Sequence, residues 1–249
     1  MSDSERRRLA SVFRSFVVAG VALAIAGCRP DYAKLESSTP AELVEIMRGG
    51  WRVNRGAAGA ELSTLAMRKP DLVRPVAGEI RELLQSPYPE TRRWAICVLI
   101  EIDCYRQDAI STARAMLSGK GTDQNATEDR RKVLYHLVKN PVILHECRDL
   151  VVQCLSDEQE SVVEAAVCAI DKQTEIHPLD DDAAVARLLG LCRTNHVGWQ
   201  GHSLDALSRV VPRLRVPVAR GLSTVMVLPG NEKRFENAVE VTTRRDDEG

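Results

Sequence analysis

The residues best equipped for chemistry in this sequence are its seven cysteines and five histidines, and their spacing decides which chemistry is open. Cys97 and Cys104 stand seven apart, as do Cys147 and Cys154. On a helix that spacing separates each pair by about 10 Å, whereas a disulfide needs Cα atoms within about 7 Å. Neither pair closes within a helix. Bridges between neighbouring helices, Cys104 with Cys147 or Cys154 with Cys192, stay open beside the alternative of buried free thiols. Cys97 and Cys168 read as small apolar fillers of a core.

Metal ligation and catalysis find less support. His145-Glu146-Cys147 with Cys154, and His196 and His202 around Trp199, come nearest to ligand clusters, yet neither forms C-x-x-C or H-E-x-x-H. No metal and no cofactor are expected. No G-x-S-x-G occurs, and Gly119-Lys120-Gly121-Thr122 lacks the first glycine of a phosphate-binding loop, so it reads as a turn. The chain is expected not to be an enzyme.

Positioning elements must come from Leu, Val, Ile and Ala, because only 4% of residues are aromatic while 44% are apolar. Such a composition favours closely packed helices. An internal period supports them. Residues 86–99 superimpose on 157–170 with a shift of 71, so that Ala95 meets Ala166, Cys97 meets Cys168 and Leu99 meets Ile170. Residues 129–137 and 199–207 fall into the same frame, giving a period near 35, and a further copy is expected around 56–68. After each motif comes a second apolar segment: 72–85, 107–117, 148–155, 183–192 and 216–227. One such pair cannot bury both faces, so pairs must stack. The expected fold is all-α, an α-solenoid of about five hairpins over 51–228.

Ends and joints carry local signals. Thr39-Pro40-Ala41-Glu42 has the residues of a capping box and Gly49-Gly50 a stop, which predicts a capping helix over 39–50. Pro87, Pro89, Pro141, Pro178 and Pro212 fall between expected helices, and Pro75 is expected to open or kink one. Asp180-Asp181-Asp182 suits a helix start. Trp94 reads as packing between repeats, Trp199 as half exposed, and Trp51 as closing the cap. Residues 229–249 read as a charged, frayed tail, within which a terminal helix from Glu232 to Val241 stays open.

The repeated motif resembles the HEAT repeat, in the short form whose first helix reads D-P-x-x-x-V-R-x-x-A-x-x-A-L. Pro87, Arg92, Ala95 and Leu99 carry the likeness in one copy, and Asp157, Val162, Ala166, Ala169 and Ile170 in another, where Val163 replaces the arginine. The copy between them keeps Arg130 and loses both alanines; the one near Trp199 keeps Ala206-Leu207. The resemblance implies a protein-binding scaffold whose second helices form a concave docking surface. Candidate contacts there are Arg81, Glu82, Arg114, Arg148, Gln153 and Arg187, polar residues at otherwise periodic positions. It also implies one alternative, a bilin lyase or chaperone-lyase; a purely structural envelope spacer is a further reading.

The first 27 residues resemble a bacterial lipoprotein signal peptide. Arg6, Arg7, Arg8 and Arg14 precede an apolar stretch from Phe16 to Ala26, too short for the roughly 20 residues of a membrane-spanning helix. Ile25-Ala26-Gly27-Cys28 resembles the lipobox. The likeness implies cleavage before Cys28, lipid on its thiol, a tether over 28–38 and a location in the cell envelope facing periplasm or exterior. Losing four arginines and two acids would take the net charge from −1 to −3. That balance gives no basis for nucleic-acid binding, so the expected partners are unidentified proteins and, through lipid, a membrane.

Overall fold

The computed structural model describes residues 32–243 except 120 and 122; the signal segment, Cys28 and residues 244–249 lie outside the described residues. The described chain is helical throughout, with one isolated bridge between Leu179 and Val210. Helix α1 (Tyr32–Ser37) and α2 (Pro40–Gly49) precede five pairs. First helices are α3 (Arg52–Arg68), α6 (Pro89–Ile102), α8 (Gln124–Leu137), α11 (Glu160–Thr174) and α13 (Val197–Leu207). Second members are α4 (Pro70–Val73) with α5 (Ala77–Glu82), then α7 (Arg106–Leu117), α9 (Pro141–Glu146) with α10 (Arg148–Cys154), α12 (Asp182–Cys192) and α14 (Pro212–Leu222). Helix α15 (Glu232–Thr243) ends the row.

The first helices pack on one another in chain order to form one layer, continued by α15. The second helices form the other layer, each lying against the first helix that follows it. This is the α-solenoid that the period predicts. One core runs through it, and its fully buried large side chains include Leu62, Ile96, Leu99, Leu134, Leu137 and Leu144. Small residues let the layers close: Ala95, Ala166, Ala169 and Ala206 are fully buried.

Local chemistry explains the helix boundaries. The Thr39 amide donates to Glu42 Oε2 at 2.7 Å while the Glu42 amide donates to Thr39 Oγ1 at 3.3 Å, which completes the capping box. Asp181 caps α12 by accepting from the Ala184 amide at 2.8 Å. Pro89, Pro141 and Pro212 each occupy the first helical position, where a missing N–H costs nothing. Pro75 sits in a 3-10 turn, Arg74–Val76, that divides α4 from α5. The remaining second members differ from one another: α9 and α10 are separated at Cys147, whereas α14 carries Pro217 inside it.

Three sequence expectations need correction. The tether over 28–38 contains α1, whose Leu35 is buried and packs toward α3. The tail over 229–249 is not simply frayed: α15 packs on α13 and α14 through Phe235, Ala238 and Val239, so the row continues to 243 instead of stopping at 228. Trp51 does not close the cap. It is 84% exposed, and Leu43, Val44 and Met47 of α2 supply the buried contacts instead.

Candidate functional site

Buried charge crosses the joints of the first-helix layer. Arg55 donates to Glu90 Oε1 from Nε at 3.1 Å, Arg93 pairs with Asp129, and Arg130 Nε lies 2.8 Å from Asp157 Oδ2. His136 Nδ1 meets Glu101 Oε1 at 2.8 Å. Partners lie roughly one repeat apart in sequence, so each pair fastens one hairpin to the next in a single register. Toward the carboxyl end amides join the charges: Asn231 donates to Gln200 Oε1 at 3.2 Å, beside the pair of Arg234 with Asp205.

The second-helix layer carries its own ladder, and it engages half of the residues proposed as contacts. Arg81 Nε lies 2.8 Å from Asp108 Oδ2, and Glu82 accepts from Arg48 at 3.3 Å. Arg114 binds both oxygens of Asp149, at 2.7 and 2.8 Å, and the Glu146 carbonyl at 2.8 Å. The guanidinium of Arg114 holds the Asp149 carboxyl below the usual carboxylate range. Arg148 is half buried, and its Nη2 has no hydrogen-bond partner. Gln153 is exposed at the mouth of a cavity of about 310 Å³ shared with Ser156, Asp157 and Glu158. Arg187 is exposed on α12. Cys28 lies outside the described residues.

A larger recess opens on the other layer. A groove of about 720 Å³ runs between α1, α3, α6 and α8, lined among others by Tyr32, Val53, Ala57, Ala60 and Trp94. Arg52, Glu61, Glu128 and Lys132 supply charge of both signs along it. Trp94 is the floor, held between repeats as its sequence position predicts. Lys132 Nζ lies 5.0 Å from its ring centroid, and the facing position on α3 is Gly59. The sequence reading missed this groove because it needs four helices, of which α1 was not expected.

All six described cysteines are free, so neither open disulfide forms. Burial pushes the thiols of Cys147 and Cys154 up to about 11 and that of Cys192 to about 12, and raises Cys97 further. Each therefore keeps its proton in the folded chain at a pH where the unfolded chain loses it. Stability contributed by these thiols is full below about pH 8.5 and declines as pH rises above it. A thiol reagent at neutral pH is expected to label half-buried Cys104 and Cys168 in the native protein. Labelling of Cys97, Cys147, Cys154 and Cys192 is expected only on unfolding, as peptide mass mapping would show.

Cys168 departs from the core role assigned to it. It is half buried beside His202, whose ring also meets Asp171 Oδ2 at 2.8 Å. Hydrogen bonds to Asp171 and Cys168 raise the His202 imidazole to about 10. Arg209 Nη1 reaches Asp171 Oδ1 at 2.7 Å, and the Asp171 carboxyl stays below its ordinary value because His202 and Arg209 outweigh the cost of its burial. Asp205 completes the group, its carboxyl pushed up by burial and by the Asp171 charge.

No protein-family model and no curated protein matches the chain. Among solved structures, it is similar to an engineered protein at a TM-score of 0.61 and 14% identity, over 82% of this chain and 58% of that one. It is also similar to a chain of the Pds5–Scc1 complex at a TM-score of 0.45 and 14% identity, over 81% of this chain and 32% of that one. The chain thus spans less than two thirds of either. The first likeness concerns the helical fold alone, and the second is too slight to carry an argument.

Proposed function

We propose that the chain is a non-catalytic, protein-binding scaffold of HEAT-like repeats, tethered to a membrane through lipid on Cys28. The observation that carries the binding role is the groove over Trp94. Its apolar floor and rim of mixed charge suit a protein segment that offers an apolar residue flanked by charges. A net charge near zero gives such a surface no pull on nucleic acid. The second-helix layer is the lesser candidate, because Arg81, Glu82 and Arg114 already bind neighbouring repeats. Arg187 and Gln153 are the exposed contacts proposed there.

Photo-crosslinkers placed at Val53 and at Arg187 in the full chain, in its own cells, test the docking face. A defined adduct is expected at Val53 and is expected to fade on Trp94→Ala, while absence of adducts above background at both positions would refute the scaffold. The tether is tested separately. Intact mass of the membrane fraction should show a chain beginning at Cys28 and carrying acyl groups, and Cys28→Ala should move the protein to the soluble fraction. Recovery of the unprocessed wild-type chain from the cytosol would end this part of the reading.

A further inference from the structure

We infer that the groove over Trp94 receives the juxtamembrane stretch of an integral membrane protein, a segment that emerges from the same bilayer that holds this chain. The inference rests on the tethered scaffold proposed above and names its partner. Tyr32 lines the groove and is the fourth residue after Cys28. Four residues of chain span at most about 14 Å. Lipid on Cys28 therefore keeps Tyr32, and the groove it lines, within that distance of the attachment point, whatever path the link takes. A docking site for soluble partners gains nothing from lying so near an anchor, whereas segments that leave the bilayer are concentrated in that layer.

The lining defines the segment. Gly56, Ala57 and Ala60 keep the outer face of α3 low beside the Trp94 indole, which leaves an apolar floor for one face of the incoming chain. Most rim charges are already engaged: Glu90 pairs with Arg55, Arg93 with Asp129 and Glu128 with Arg131, while Lys132 rests against the Trp94 ring. Arg52 and Glu61 form no ion pair among the described residues. They stand nine residues apart on α3, about 13.5 Å along the axis. A segment with an acid opposite Arg52 and a base opposite Glu61 satisfies both, and its direction in the groove is then fixed. The same two charges exclude the chain's own acyl groups as the occupant, because hydrocarbon laid over them would strip their hydration and return no partner.

The test places a photo-crosslinker at Val53 of the lipidated full chain, in its own membranes, and sequences the crosslinked peptide. That peptide is expected to lie within about ten residues, about 15 Å of helix, of a membrane-spanning segment. Inserting about twenty Gly and Ser residues between Pro30 and Asp31 lengthens the link about sixfold and is expected to cut the adduct roughly tenfold, as effective concentration falls with the three-halves power of linker length. Arg52→Glu combined with Glu61→Lys is expected to abolish the adduct while circular dichroism and membrane attachment stay as in the wild type. An adduct to a soluble protein or to lipid, or one indifferent to the insertion or to the charge reversal, would overturn the inference and leave the tether standing. No adduct at Val53 would overturn it as well, and the scaffold with it only if Arg187 also yields none. A wild-type chain whose intact mass shows no acyl group would remove the tether and this inference together.

Discussion

Arg130→Met is expected to cost about 3–5 kcal/mol of folding stability, the cost of breaking a buried ion pair by removing one partner. The Arg130 side chain is only 4% exposed, and its pairing with Asp157 spans the joint between α8 and α11. Its Nη1 also donates to the carbonyls of Gly119 and Gly121, at 2.7 and 2.9 Å. Methionine fills much of the volume but offers no donor, so a carboxylate and two carbonyls lose theirs together. Arg114→Met is the control. Its pair with Asp149 is bidentate, yet both side chains are about half exposed and screened by solvent, and the expected loss is small beside that of Arg130→Met. Urea denaturation of both variants decides the matter; an Arg130→Met loss as small as that of Arg114→Met would show that the inner ladder does not fasten the row.

Gly59→Val is expected to destabilise by about 3 kcal/mol, at the upper end for overpacking. A Cβ at position 59 would lie 2.5 Å from the Trp94 Cβ and 2.6 Å from its Cδ1, so α3 and α6 would have to part. The obstruction is the root of an indole, which cannot swing aside as the end of a lysine can. Gly59→Ala meets the same atoms, but its better helix propensity returns about 1 kcal/mol. Trp94→Ala in the Gly59→Val background is expected to recover part of the loss, since the two positions compete for one space. A Gly59→Val protein as stable as wild type would mean that the repeats do not pack through Trp94, and the groove built on that residue would fall with it.

Whatever depends on neighbours within a few residues was legible before any coordinates. The capping box at Thr39, the prolines at first helical positions and the 35-residue recurrence of alanines and leucines act over one or two turns, so they announce helices, boundaries and stacking. The two ends are weaker signals: Leu35 is the one buried residue of α1, and Phe235, Ala238 and Val239 in α15 form a short stripe that gains its stability from docking. Trp51 was misjudged for the converse reason, since adjacency in sequence to Gly50 does not say which way an indole points.

The sites were less legible because they are assembled across joints. The motifs C-x-x-C and H-E-x-x-H place ligands on one element, where a sequence displays them. Asp171 of α11 and His202 and Asp205 of α13 carry no such signature and come together only when the two helices are laid side by side. The same holds for Arg81 and Arg114, whose polarity marks them as facing away from the core but cannot tell a partner's carboxylate from that of the next repeat. By itself, then, the sequence determined an all-helical row of stacked pairs, through periodicity and caps that operate locally. The tertiary structure alone decided which arginine meets which acid, where Trp94 opens a groove and which thiol faces an imidazole, because each of these depends on the register between helices some 30 residues apart.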